Sequence, residues 1–186
     1  FDSEANGEFI TLSAANFENA SNAEFRLLTG GSFAASGLNA KNATNLKFKA
    51  MDQIIGSDFS SADFSGSTNC KVYSTGGADP DFTNGFYPNN FSNAVFDDSA
   101  SMEFVTSLGA WMSGTSFKGT TFTVFRVGIN WDGPLGPQAN ILQWDQFQST
   151  TPRARMFGVD FESAAFPEDY QFAGVIMEGV SFKNTI

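Results

Sequence analysis

A chain of 186 residues with an apolar share of 41% is long enough for one substantial core and too apolar for disorder. Its formal net charge of −10 excludes ordinary phosphate-backbone binding, which needs clustered Lys and Arg, and argues against docking on an anionic lipid surface. Histidine is absent and Cys70 is the one cysteine, so an internal disulfide, a cysteine-rich zinc site and any Ser-His-Asp or Cys-His arrangement are excluded.

The chain opens at Phe1 without an initiator Met, which predicts a product trimmed of a targeting peptide and located outside the cytosol. Phe1, Phe9, Phe17, Phe25 and Phe33 then stand eight apart, an even spacing that would keep all five on one face of short strands. From Phe33 the spacing tightens to five, through Leu38, Ala43 and Phe48, slips by one, and resumes at Phe59 and Phe64 with Asn69 next. Two places before Phe59 and Phe64 sit the small residues Ser57 and Ala62, each followed by a carboxylate, Asp58 or Asp63. A spacing of five fits neither the helical period of 3.6 nor the strand period of 2. It suits a chain that turns a corner every five residues and sends one large and one small side chain inward on each side.

The Gly, Pro, Asp and Asn content of 74–88 marks a loop. Beyond it the five-residue spacing runs through Phe86, Phe91 and Phe96, with Asn84, Asn89 and Ala94 two places before. It continues at Met112, Phe117, Phe122 and Val127, preceded by Ala110, Thr115, Thr120 and Phe125, of which Phe125 is too large for a small-residue slot. Residues 128–158 lack the spacing and hold Pro134, Pro137, Pro152, Trp131, Trp144 and an amphipathic stretch over 139–147, so an insertion or cap with one short helix is expected there. Phe161 and Phe166, then Phe172, Met177 and Phe182, restore it.

The units Ala15-Asn16-Phe17-Glu18-Asn19, Ser57-Asp58-Phe59-Ser60-Ser61, Ala62-Asp63-Phe64-Ser65-Gly66 and Val159-Asp160-Phe161-Glu162-Ser163 resemble the pentapeptide-repeat family, whose unit is a small residue, Asp or Asn, Leu or Phe, and two variable positions. The resemblance implies an all-β, right-handed quadrilateral parallel β-helix with coils about 4.8 Å apart and rings of Phe laddered along its axis. Each buried Phe would contribute about 2–3 kcal/mol of transfer free energy, enough to hold a narrow solenoid without disulfides. It predicts a main solenoid with an N-terminal cap segment over 1–127, a Trp- and Pro-rich insertion or cap over 128–158, and returning coils of the same domain over 159–186. The competing architecture is a Phe-rich antiparallel sandwich or jelly roll whose turns fall at multiples of five.

Asp58 and Asp63 could do acid–base work as a pair, but in this repeat an acidic or Asn residue before the Phe bonds to the adjoining turn, and that structural role is the expected one. Asp79, Asp81 and Asn84 resemble the opening of a calcium loop without its spacing or closing Glu, and Asp97, Asp98 and Glu103 form a second acidic cluster. Asn19, Asn42 and Asn90 begin N-x-Ser/Thr sequons. Lys41, Lys47 and Lys49 make a basic patch too small for nucleic acid, and Cys70 reads as a buried small residue. The stretch with the strongest mark of a contact surface is the insertion, with Trp131, Asp132, Leu135, Trp144 and Phe147 as its partner-binding residues.

The expected function is a non-catalytic structural or interaction protein without cofactor, metal, nucleic acid, small-molecule ligand or membrane-inserted segment, docked on other protein subunits of a larger assembly. The resemblance, with the acidity and the trimmed start, points to an accessory subunit of a photosynthetic complex in the thylakoid lumen, or else to an extracellular protein. Three alternatives stand beside it: a self-assembling filament or capsid subunit, an acidic DNA mimic that binds a topoisomerase as members of the resembled family do, and a carbohydrate-active or calcium-binding enzyme.

Overall fold

In a computed structural model, residues 2–3, 9–27, 31–53, 56–76, 89–107, 110–129, 154–172 and 175–186 are described. The fold is set at its corners. Ala14, Gly37, Ser61, Asn93, Gly114, Gly158 and Gly179 share one corner, Asn19, Asn42, Gly66, Asp98, Gly119, Ser163 and Asn184 the next, and all have φ between 53° and 68°. This left-handed region is open to Gly and tolerated by Asn and Asp, which is why those residues recur there. A third corner carries Asn22, Asn45, Asn69 and Ser101. Asn69, expected as the residue after Phe64 in the inward series, is therefore an exposed turn residue with φ of 54°.

Between corners the chain runs straight and pairs only with the levels above and below. The strands are β1 (Asp2–Ser3), β2 (Phe9–Thr11), β3 (Glu24–Leu27), β4 (Ser32–Ala34), β5 (Lys47–Gln53), β6 (Lys71–Gly76), β7 (Met102–Ser107), β8 (Phe122–Ile129), β9 (Ala154–Phe157), β10 (Gln171–Phe172) and β11 (Val175–Glu178). The fourth side of the coil is a seven-stranded sheet in the order β1-β3-β5-β6-β7-β8-β10. The first side holds β2, β4, β9 and β11, joined through the bridged residues Asp58, Asn90 and Trp111. The second is the ladder Asn16, Asn39, Asp63, Val95, Ser116, Asp160 and Ser181, and the third includes Ser21, Thr44, Thr68 and Ala100. Every pairing among the described residues is parallel. The antiparallel sandwich is thereby overturned, and the molecule is an all-β, four-sided parallel β-solenoid. No helix occurs among the described residues, and the helix expected over 139–147 lies outside them.

Two inward side chains per side fill the axis. On the second side Phe64, Phe96, Phe117, Phe161 and Phe182 form one stack, with ring centroids 5.0, 4.8, 5.1 and 5.1 Å apart in succession. Phe59 and Phe91 stack at 5.5 Å on the first side, and Phe104 and Phe125 at 5.8 Å on the fourth. The small partners Ala62, Ala94, Ser67, Ser99, Thr115 and Thr120 are buried beside them. Two of the buried hydroxyls are satisfied by the carbonyls of the large column, Ser99 Oγ donating to Phe64 at 2.7 Å and Thr120 Oγ1 to Phe96 at 2.6 Å, whereas Thr106 Oγ1 is buried without a hydrogen-bond partner among the described residues.

Several expectations change with the corners in place. Phe9, Phe17 and Phe25 do not share a face, because corners separate them: Phe9 is 57% exposed on the first side, Phe17 lies on the second and Phe25 on the fourth. Phe33 and Leu38 are fully buried but take the first inward position of their sides, leaving Ala35 and Ala40 in the second. Bulk and small residues have exchanged places at this level, and Phe48 fills the vacated space with its ring 5.8 Å from Phe33, Phe59 and Phe64. Phe125 occupies no small-residue slot. The β7–β8 register slips by one residue after the Met102–Phe122 pair, which sets Phe125 opposite Phe104 in a large-residue column.

The ladder steps directly from Asp58 to Asn90 and from Trp111 to Arg155. Both long connections, 77–88 and 130–153, thus leave and rejoin at the corner between the fourth and first sides. A buried polar group marks that corner. Asn89 Oδ1 accepts from the Ser57 amide at 2.8 Å and from Ser74 Oγ at 2.5 Å, while Asn89 Nδ2 donates to the Ser74 carbonyl at 2.9 Å.

Candidate interaction surfaces

Parallel in-register strands place identical positions of successive levels side by side. On the outer surface of the fourth side this produces one row of Glu24, Lys47, Lys71 and Glu103, and a second of Arg26, Lys49, Tyr73, Val105 and Arg126. Five of the chain's ten Lys and Arg therefore stand on one of four sides. Like-charged neighbours are held by interleaved carboxylates: Glu24 lies 3.8 Å from Lys47 and 3.3 Å from Lys49, and Glu103 lies 2.6 Å from Lys71.

Burial pushes the Glu103 carboxyl up, but hydrogen bonds from Lys71 and Tyr73 and the charges of Lys71 and Lys49 outweigh it and hold the group below the usual carboxylate range. Burial raises the Tyr73 phenol well above its ordinary value, and the hydrogen bond it donates to Glu103, with that carboxylate's charge, raises it further. At neutral pH the centre of this side is a fixed phenol–carboxylate–ammonium cluster.

The expected patch of Lys41, Lys47 and Lys49 is divided by a corner. Lys41 belongs to the second side, 3.8 Å from Asp63. Arg26, Lys71, Tyr73 and Arg126 did not stand out in the sequence, and Glu103 stood out only beside Asp97 and Asp98, because their association depends on offsets set by the length of each coil. The partners Arg26 and Lys49, or Lys47 and Lys71, reveal it once one register is known.

On the second side the carboxylates serve the turns. Asp63 Oδ1 accepts from the Ser65 amide at 3.0 Å and Ser65 Oγ at 2.7 Å, and Asp160 Oδ1 from the Glu162 amide at 2.9 Å. Asp58 does the same on the first side with the Ser60 amide at 2.9 Å. Ion pairs alternate along the second side, Lys118 with Asp160 at 3.1 Å and Lys183 with Glu162 at 2.7 Å. Asp97, Asp98 and Glu103 are not brought together: Asp97 binds Ser116 Oγ and the Lys118 amide, Asp98 turns a corner, and Glu103 lies on the fourth side. Among the described residues no group of three or more side chains could hold a metal.

Asn19 and Asn42 are exposed corner residues, while the Asn90 side chain accepts from the Ser92 amide at 3.0 Å. Cys70 is buried, and burial pushes its thiol up. Trp131, Asp132, Leu135, Trp144 and Phe147, together with Asp79, Asp81 and Asn84, lie outside the described residues.

The two ends differ from the walls. At the C-terminal end Phe182 is 40% exposed, Met177 40%, Tyr170 51% and Ile186 91%, and an open concavity of about 460 Å³ is lined by Phe166, Tyr170, Phe172, Phe182 and Ile186. At the N-terminal end Leu12, Ala15 and Phe17 are partly buried inner-column residues.

No protein-family model matches the sequence, and no curated protein matches it. Among solved structures, the chain is similar to a trypsin-treated form of QnrB1, a plasmid-mediated fluoroquinolone resistance protein, at 18% identity and a TM-score of 0.30, covering 96% of this chain and 86% of that one. It is also similar to HetL, a pentapeptide-repeat protein involved in heterocyst differentiation regulation from the cyanobacterium Nostoc sp. strain PCC 7120, at 12% identity and a TM-score of 0.25, covering 94% and 73%.

Proposed function

We propose that this chain is a degenerate pentapeptide-repeat protein that acts without catalysis, by binding another protein on its outer walls. The observation that carries this reading is the fourth side. A continuous parallel sheet from β3 to β8 holds half of the basic residues in a molecule of net charge −10. Such segregation gives a rigid solenoid one wall that attracts an acidic protein surface and others that repel it. The interior supports the same reading, since stacked Phe rings fill it and direct polar chemistry to the walls.

The insertion residues Trp131, Asp132, Leu135, Trp144 and Phe147 are a second proposed contact, on the connection between Ile129 and Ala154. An accessory role in a lumenal photosynthetic complex is the narrower form of the proposal and rests on the sequence resemblance. The DNA-mimic reading draws less from the geometry, because lysines alternate with the described carboxylates of the second side.

The test is affinity capture from native membranes and from soluble extract at low and high salt. Salt-sensitive, stoichiometric capture that is lost in Lys47→Glu/Lys49→Glu and kept in Lys118→Glu is the expected result. Capture unaffected by the double variant would refute the wall as the docking surface. A variant lacking 130–153 reports separately on the insertion.

A further inference from the structure

We propose that the first side of the coil carries a binding strip for an uncharged, extended glycan, centred on Trp111. The strip lies apart from the basic wall of the fourth side. In-register pairing sets Asp58, Asn90, Trp111 and Arg155 side by side on successive levels of the outer surface. Described levels continue on both sides of it, at Ala34 and at Ile176, so the strip lies within the stack.

The ladder fixes which way Trp111 faces. Its amide donates to the Asn89 carbonyl at 2.8 Å, and its carbonyl accepts from the Phe91 amide at 2.7 Å. Ala110 and Met112, its neighbours in the chain, are fully buried, so the alternation of a straight segment sends the indole outward, where it is 43% exposed. A large ring held on the outside of a straight wall is a contact group, since Trp combines an apolar face with a polar edge.

The surroundings of the ring say what it contacts. A protein hot spot sits in an apolar, desolvated core. Trp111 instead has Asn90 on one neighbouring level, Arg155 on the other and exposed Ser113 beside it along the strand, with half-buried Phe157 on the diagonal. These groups supply both halves of a hydrogen bond. Asp58 Oδ1 accepts from the Ser60 amide at 2.9 Å and Asn90 Oδ1 from the Ser92 amide at 3.0 Å. Both side chains are thereby oriented, with Asp58 Oδ2 left as an acceptor and Asn90 Nδ2 as a donor. Arg155 is exposed and makes no ion pair among the described residues.

Charge selects an uncharged occupant. Asp58 and Arg155 cancel, so within a molecule of net charge −10 this strip favours neither a polyanion nor a polycation. A sugar fits the remaining chemistry: its hydroxyls donate and accept, and its C–H face covers an indole. Spacing fits as well. Levels about 4.8 Å apart come close to the length of one pyranose in an extended β-linked chain, so a glycan laid along the axis sets successive sugars over successive side chains of the strip.

Calorimetric titration of the full chain with cellohexaose, mannohexaose and xylohexaose, three uncharged and extended β-linked probes, tests this. At least one should bind saturably, equally at low and high salt and equally in Lys47→Glu/Lys49→Glu, and more tightly than maltohexaose, whose α-linkages coil the chain. Trp111→Ala should weaken that binding about tenfold or more, and Trp111→Phe, which keeps a ring, should weaken it less. Asn90→Asp keeps the acceptor for the Ser92 amide and removes the donor, and should weaken it about three- to tenfold. Because Trp111 lies outside the core, its variants should keep the urea midpoint of the wild type, which separates lost binding from lost fold. The proposal is overturned if none of the three probes binds, if maltohexaose or a polygalacturonate oligomer binds as tightly, or if Trp111→Ala leaves binding unchanged. Loss of protein capture in Trp111→Ala, with no glycan bound by the wild type, would assign the ring to a protein interface and refute the glycan strip.

Discussion

The middle levels and the end levels of this solenoid use the same columns and the same corner geometry, yet they differ in what each side chain gains. Phe64, Phe96 and Phe117 are covered above and below and are fully buried, whereas Phe182, in the same column, is 40% exposed. A quasi-one-dimensional fold draws its stability from contacts between neighbouring levels, so a residue with one neighbour level contributes about half of what one with two contributes. Residue type alone therefore does not rank these positions. Place along the axis does.

The largest effect should come from Phe117→Ala. Its ring stacks between Phe96 at 4.8 Å and Phe161 at 5.1 Å and meets Phe104 and Phe125 edge-on. The loss of transfer free energy plus the cavity left should cost about 3–5 kcal/mol. Phe182→Ala should cost less than about half of that, through the same chemistry in a half-exposed setting. Urea denaturation of the two variants, at concentrations where the protein is monomeric, compares them directly. Equal losses would show that the end level is as well packed as the middle.

Next comes the polar corner of the middle levels. Asn89→Ala leaves the Ser57 amide and the Ser74 hydroxyl and carbonyl without the bonds Asn89 supplied, deep in the core. Losing these buried hydrogen bonds should cost about 1–3 kcal/mol. At later levels this column holds Ala110, Ala154 and Val175, so Ala154→Ser, which adds a hydroxyl where no such network exists among the described residues, should be destabilising rather than neutral. A neutral Asn89→Ala in urea denaturation would mean that the polar corner does not hold the two levels together.

Corner glycines give a smaller and sharper contrast. A Cβ on Gly114 would stand 2.6 Å from Asn93 Oδ1 of the level below, while a Cβ on Gly37 meets nothing within 4 Å. Both share the left-handed backbone, which costs an L-residue about 1–2 kcal/mol, and Ala14 adopts it at the N-terminal level of this corner. Gly114→Ala should therefore exceed Gly37→Ala, and Asn93→Ala placed alongside should remove the excess. Thermal unfolding of the three variants measures it, and an undiminished excess would refute the clash.

The five-residue spacing was legible from 57 onward because bulk stays in one inward position there, as Phe59, Phe64, Phe91, Phe96, Met112 and Phe117 show. It misled before that. Phe33 and Leu38 carry bulk in the other inward position, and a spacing of five is unchanged when both positions of consecutive sides exchange roles. The spacing of eight among the first Phe residues described no face at all, since corners intervene. Asp58 and Asp63 were readable as turn residues because their bonds are local. The charged wall was not readable. Glu103 sits thirty-two residues from Lys71, an offset lengthened by the connection 77–88, and nothing local in the sequence reports it.

The smallest expected effect is a pH dependence at Glu103, where the middle of the wall differs from its ends. The Glu103 carboxyl titrates below the ordinary glutamate value of about 4.3 because Lys71 and Tyr73 donate to it in the folded state. A carboxyl whose folded value is depressed stabilises the fold above its unfolded value, and this contribution is lost as pH falls through the folded value. Wild type should therefore lose stability below pH of about 4.3 more steeply than Glu103→Gln, which lacks the titration but keeps the side chain's length. The urea midpoints of the two proteins should differ at pH 7 and converge in acid. A difference that persists in acid would mean that Glu103 acts through packing alone, and that its carboxylate does not fix the position of Lys71.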